Sequence, residues 1–256
     1  MESAHLMPEI LAFTSGPDDE STVRAVTTAL ARTLHLTTGR EHTLPGGDGK
    51  ASAAVLRAME QPSVGLAVLP YQPGDADRLI NEVIRRCSKP VVLTPVNNEF
   101  TAHEHELISR VLVPLDGTAE SAETVAETIA LFAASGADII ALHVFDQTTV
   151  PNFWDQAAHA RKSWDEEFLA RNCHQPDVRL ELRSGRPGEN ILDVAATEHA
   201  DLIALGWTQN LSPGRAQTVR TIVAQTSTPI LLLPVLGAET ADGHWLSRPA
   251  KPAHQP

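Results

Sequence analysis

Three short stretches of this chain occur twice, in the same order, and that internal repeat restricts the fold more than any other feature. EILAFTSG from Glu9 parallels RVLVPLDG from Arg110, GLAVLPY from Gly65 parallels DLIALGW from Asp201, and KPVVLTPV from Lys89 parallels TPILLLPV from Thr228. Matched landmarks in one order indicate a single supersecondary plan used twice. At 256 residues, 42% of them hydrophobic, the chain is long enough to supply two small cores.

The plan itself is readable from periodicity. Short β-rich apolar runs recur at Ile10–Thr14, Gly65–Leu69, Val91–Thr94, Val111–Leu115, Ile139–Val144, Leu202–Leu205 and Ile230–Leu233. Continuous apolar runs of this length read as parallel strands buried on both faces. Between them the spacing turns helical, as at Val23, Val26, Leu30 and Leu34, at Ala122, Val125, Ile129 and Phe132, and at Ile191, Val194 and Ala195. Alternating strands and helices predict βαβ units, and hence α/β architecture: two tandem, doubly wound, Rossmann-like parallel-sheet domains.

The two passes are unequal. Ser15 to Leu66 spans 51 positions, whereas the equivalent Asp116 to Leu202 spans 86. In the second pass that interval holds a helical stretch at about Asn152–Arg171 and a strand at Val178–Arg183. The first has room only for a strand near Glu41–Leu44 and a helix near Lys50–Met59. The first domain is therefore expected to be truncated, with a sheet one strand narrower. Boundaries fall at 1–100 for the first domain, 101–108 for a polar linker within NNEFTAHEHEL, 109–237 for the second domain, and 238–256 for a Pro- and Ala-rich flexible tail.

Charge and composition exclude several classes. A formal net charge of −12 disfavours nucleic acid as a partner, because phosphate-backbone binding needs clustered Lys and Arg. No apolar run reaches the ~20 residues of a membrane span. The N-terminus lacks a basic region before a sustained apolar stretch, and Cys87 and Cys173 form no CxxC pair. The expected setting is a reducing, cytoplasmic one.

The second pass resembles the universal stress protein family over most of Ser109–Leu236. The resemblance is carried by RVLVPLDGTAESAE, ALHV (Ala141–Val144), SGRPGENI (Ser184–Ile191), HADLIALGW (His199–Trp207) and STPILLLPV. It implies an adenine nucleotide alpha-hydrolase-like fold and a stress-linked binding or regulatory role. It also implies domains that pair through their last strands, here Val91–Thr94 and Ile230–Leu233, which would cover two exposed edges. A further homodimer and an unidentified protein partner are compatible with this.

In nucleotide-binding members an Asp at the end of the first strand contacts the nucleoside, and Asp116 matches it. A carboxylate there sits in the crevice where open α/β sheets take ligands, although an Asp at a strand-to-helix turn also serves simply to hold the turn. The backbone at Val144 and the first loop glycine, Gly206, complete the nucleoside side. The family's phosphate loop needs further glycines and a closing Gly followed by Ser or Thr, so that backbone amides approach the phosphates. Here Gln209 stands at the second glycine, with Ala216 and Gln217 at the final pair. Gly214 and Arg215 are partial substitutes, the first for the bend and the second for a phosphate contact. The expected cofactor is therefore ATP or AMP held weakly, through Asp116, Val144, Gly206, Gly214, Arg215 and Gln217, or none. In the first pass Ser15, Pro70 and Asp77–Arg78 replace the equivalent residues, and no nucleotide is expected there.

Other candidates carry less chemistry. PGGDGKAS at Pro45–Ser52 fails as a P-loop because Leu44 stands where its first Gly belongs. His103, Glu104, His105 and Glu106 lack the HExxH spacing that puts two His on one helix face. Cys173 has a neighbouring His174 but no third group to orient it. Trp207 reads as loop packing or a base-stacking ring, and Trp154, Trp164, Phe153 and Phe168 read as helix-to-sheet packing or a lid. With no general base, nucleophile or metal set in workable order, the chain is not expected to be an enzyme.

Overall fold

The computed structural model describes residues 8–46, 49–74, 78–96, 107–145, 158–173, 175, 177–209 and 215–235, with backbone alone for 158–161 and 215. In chain order the elements are β1 (Glu9–Thr14), α1 (Pro17–Leu34), β2 (Thr37–Thr38), β3 (His42–Thr43), α2 (Lys50–Met59), β4 (Val64–Tyr71), α3 (Arg78–Arg86), β5 (Val91–Pro95), β6 (Arg110–Pro114), α4 (Ala119–Ala134), β7 (Asp138–Phe145), α5 (Ala158–Asn172), β8 (Val178–Ser184), α6 (Pro187–Thr197), β9 (Leu202–Trp207), α7 (Arg215–Gln225) and β10 (Ile230–Pro234). Local chemistry sets several of these ends. Pro17 and Pro187 open α1 and α6, where a missing N–H costs nothing. The Thr118 hydroxyl caps α4 by accepting from the Ser121 amide at 3.3 Å.

The strands form one sheet in the order β2-β1-β4-β5-β10-β9-β6-β7-β8, with β3 also pairing to β1. Pairing is parallel everywhere except at the middle, where β5 and β10 run antiparallel with Val92 opposite Leu231. The first half of the sheet thus has four positions and the second has five. The edge of the first half is built from two short pieces, β2 and β3, each pairing with β1. Thr37 and Thr38 of β2 are exposed and polar, so no apolar run announces them.

Side chains alternate across the sheet as the pleat requires. Along β1, Ile10 and Ala12 enter one layer with α1, α4 and α5, while Leu11 and Phe13 enter the other with α2, α3, α6 and α7. Each layer contains residues of both halves, so the two cores lie above and below the sheet. All eight residues of β4 are buried, which is what helices on both faces demand. The chain's return into β6 is fixed by hydrogen bonds. The Ile108 amide donates to Thr33 Oγ1 at 2.8 Å, and the Ser109 and Arg110 amides donate to the buried Asp201 carboxylate at 2.8 and 2.9 Å. Among the described residues no helix is long and apolar enough to cross a membrane. Of the expected linker, 101–108, residues 101–106 lie outside the described residues, as does the expected tail, 238–256; Leu107 is exposed, and Ile108 is buried in the core.

Two outcomes are expected from this packing. Because both cores run through the antiparallel join, the chain should unfold in one transition, with far-UV circular dichroism and tryptophan fluorescence coincident. Leu231→Ala should lower its stability by ~2–5 kcal/mol; separated transitions for the two probes would contradict the shared cores. Burial also pushes the Cys173 thiol from about 9 up to about 11, and raises Cys87 and Tyr71. The native state then keeps protons that the unfolded chain releases. Stability is full below about pH 9 and falls as pH rises towards about 11. Denaturant midpoints across that range should decline less in Cys173→Ala than in the parent, and equal slopes would refute the assignment.

Candidate functional site

The carboxyl ends of β6, β7 and β9 open onto a cavity of about 650 Å³, a size usual for small-molecule sites. Asp116, Val144 and Gly206 all line it. Three residues separated by long stretches of sequence are brought together because each ends, or nearly ends, a neighbouring parallel strand.

Asp116 follows β6 and is exposed. Its Oδ1 accepts from the Thr118 amide at 3.0 Å and from the Thr118 hydroxyl at 2.7 Å, which fixes the strand-to-helix turn. It therefore lines the cavity and holds the turn at once. Gly117 between them has φ +82, a backbone that favours glycine, and a Cβ there would lie 3.3 Å from the His143 ring, which would have to give way. Val144 lies on β7 two residues beyond Leu142, whose carbonyl accepts the Leu115 amide at 2.8 Å. Strand periodicity turns the backbone of Val144 to that same side. The β6 pairing has ended there, since its last pair is Pro114 with Leu142.

Gly206 lies within β9, paired with Leu233, and a Cβ on it would sit 3.5 Å from Ser121 Oγ of α4. The strand runs on through Trp207, so the loop begins later than the motif reading supposes. Gln209 adopts left-handed backbone, φ 59, at the position where the family pattern has glycine. Its side-chain amide donates to the Cys87 carbonyl just past α3. Trp207 is buried, and its indole N–H donates to the Ile84 carbonyl at 2.7 Å. Its polar edge is thus tied to the first half of the molecule.

The remaining expected residues do not all gather here. Gln217 lies on the exposed side of α7 and is not in the cavity wall. The helical turn brings Thr218 and Val219 to the cavity instead, with Ala216 buried behind. Gly214 and the Arg215 side chain lie outside the described residues, as do Phe153, Trp154, His103, Glu104, His105 and Glu106.

Sequence reasoning missed His143 as a site residue. Its Nδ1 lies 2.9 Å from the Leu115 carbonyl, so the neutral ring carries its proton there and leaves Nε2 as an acceptor. The ring packs against Phe145 and Phe168 at centroid distances of 4.6 and 4.8 Å, and Trp164 stacks on Phe168 at 4.9 Å. These aromatics pack α5 onto β7 and also form a cavity wall. The signal was available: His143 shares the alternation of Ile139 and Ala141 and must face the α4–α5 layer. Glu120 and Glu167 also line the cavity, together with Arg171, which is ion-paired to Glu167.

The first half differs at the equivalent turn. There the buried Asp19 carboxylate folds back to accept from the Ser15 amide at 2.8 Å and the Gly16 amide at 3.2 Å. The donors of that turn are consumed internally. Among the described residues no group of three or more His, Cys, Asp or Glu could hold a metal ion.

Comparison with known proteins places the fold. The chain is similar to a universal stress protein from Archaeoglobus fulgidus DSM 4304, at 14% identity and a TM-score of 0.59, over 89% of this chain and 96% of that one. It is similar also to a putative universal stress protein from Pseudomonas aeruginosa UCBPP-PA14, at 12% identity and a TM-score of 0.55, over 89% and 93% of the two chains. At such identities the likeness is one of fold. Among curated proteins none matches the chain in sequence. The sequence profile of the Universal stress protein family matches residues 108–234, the stretch that builds β6 to β10 and the cavity.

Proposed function

We propose that this protein is a stress-linked regulatory binding protein, in which the second half holds an adenosine-type ligand and the first half is a degenerate copy serving as its structural partner. The observation that carries the reading is the single cavity in which Asp116, Val144 and Gly206 meet. A carboxylate, a strand backbone with unpaired groups, and a small residue at the third strand, all on one cavity, are the parts a nucleoside needs. The family's nucleotide-binding members use the matching positions.

The two-copy reading is supported by the strand plan, since each half is a parallel sheet and the halves meet at their last strands, β5 and β10. In the first half the Asp19 carboxylate occupies the turn donors, which suits a partner that binds nothing itself. Turnover is not part of the proposal. Cys173 is buried with its thiol pushed up to about 11, so it holds no thiolate at neutral pH. His143 touches no described nucleophile.

A second reading, a ligand-free scaffold, is favoured by one observation: Gln209 and Trp207 direct the start of the phosphate-loop segment towards α3.

Thermal unfolding with adenosine, AMP, ATP and cyclic AMP separates the two readings. Binding stabilises by ~2.7 kcal/mol at a hundredfold excess over Kd, which is several degrees or a readily measured fraction of that for a chain this size. At least one of the four should raise the Tm of the parent, and Asp116→Ala should lose most of the shift. No shift with any of them at millimolar concentration would leave the scaffold.

A further inference from the structure

We infer that Trp207 is a positioning residue for the cavity: through it the end of α3 in the first half holds the β9 wall in place, so that ligand affinity and the order of α3 are coupled. This rests on the reading of the cavity as an adenosine-type site. Gly206, Trp207 and Thr208 all line the cavity, so the end of β9 is one of its walls. The Trp207 backbone pairs with Pro234, and its carbonyl accepts the Val235 amide at 2.7 Å. The residue belongs to the buried cluster that contains Ile80, Val83 and Ile84 of α3 together with Ala216, Val219 and Ile222 of α7. Val219 lines the cavity as well. A helix of the first half and a helix of the cavity wall thus share one packed layer with Trp207.

Hydrogen bonds make that contact directional. The last carbonyls of a helix have no partner within it. α3 ends at Arg86, and its Ile84 carbonyl accepts the Trp207 indole N–H at 2.7 Å. Just past the helix, the Cys87 carbonyl accepts the side-chain amide of Gln209. Trp207 is only 3% exposed, so losing the indole bond would strand a buried donor. Gln209 sits in left-handed backbone, which a non-glycine residue keeps only where its surroundings hold it there. The end of β9 is therefore fixed from the first half at two points, one of them on the cavity-lining residue itself.

The tie is not mirrored. In the repeated stretches GLAVLPY and DLIALGW, Tyr71 stands where Trp207 does. Tyr71 is buried too, yet its hydroxyl has no hydrogen-bond partner among the described residues. A bond that served only to pack the halves would be expected on both sides of the join. Among the described residues it is made from the side that carries the cavity. A wall held in place beforehand costs a ligand less ordering, which raises affinity. Coupling of this kind is reciprocal, so a ligand that favours the fixed wall favours an ordered α3 by the same factor.

Isothermal titration of the full chain with adenosine, AMP, ATP and cyclic AMP first identifies the tightest-binding probe. Well below the Tm, with folding confirmed by circular dichroism, Trp207→Phe should bind that probe roughly fivefold or more weakly than the parent. A loss of stability alone would leave this affinity unchanged, because the fraction able to bind would still be near one. Hydrogen exchange read by mass spectrometry supplies the reciprocal measurement. Saturating probe should slow the amides of α3 in the parent more than those of α1, which lies in the other helical layer, and Trp207→Phe should lose that difference. If Trp207→Phe does not fold, Gln209→Ala takes its place in both measurements, and exchange in the parent still decides. Unchanged affinity in the folded variant, or α3 protected no more than α1 in the parent, would overturn the inference and leave the adenosine-type site standing. Failure of all four probes to bind would overturn both.

Discussion

The antiparallel pairing of β5 with β10 is the contact on which the rest of the molecule depends. Each is the last strand of a parallel half-sheet, and each would otherwise present a row of bare amides and carbonyls. Joining them hides both edges and allows two layers of helices to pack continuously across the join, with Val92 and Leu231 fully buried at its centre. The direction of the join is as consequential as its existence. Because the halves point opposite ways, the crevice end of β9 lies beside the entry end of β5. The carboxyl terminus of α3 is thereby brought within reach of Trp207 and Gln209, whose side chains take up the Ile84 and Cys87 carbonyls. A parallel join would have put both crevices along one edge and left those carbonyls far from the loop after β9.

The two halves then differ by how their equivalent turns spend their donors. In the second half Asp116 sits exposed at the cavity with one oxygen held by Thr118. In the first half Asp19 is buried and turned back on the amides of Ser15 and Gly16. One turn leaves its carboxylate exposed at the cavity and the other uses one to close itself. The same division appears in the loop after β9, where a glycine position of the family pattern is filled by Gln209 in left-handed backbone. That conformation strains a non-glycine residue, and the side-chain bond to Cys87 helps to hold it. The second half keeps an open cavity at its strand ends, while the residues that follow β9 are used to hold the halves together.

The strands and helices were legible in the sequence because their physical cause is local. Apolar runs such as Gly65–Leu69 are buried wherever a parallel sheet is covered on both faces, and the spacing of Val23, Val26 and Leu30 can only make one helix face. The expected strands at 91–94, 139–144 and 230–233 differ from β5, β7 and β10 by one residue or so at their ends. The two-residue β2 was not legible, since exposed Thr37 and Thr38 pair with β1 only because that edge is there to receive them. Asp116, Val144 and Gly206, read together from strand ends, line one cavity, whereas the register of α7 turns Gln217 outward and brings Thr218 to that cavity.

What the sequence determined by itself, then, is the alternation of strand and helix and the residue types that stand at the strand ends and after β9. These follow from periodicity and residue type, which need no knowledge of distant neighbours. Only the tertiary structure decided what became of Gln209, Trp207 and His143. Their roles are set by the Cys87, Ile84 and Leu115 carbonyls, reached from 122, 123 and 28 residues away. A hydrogen bond across such a separation exists only once the sheet has joined and both chain segments have been fixed in space.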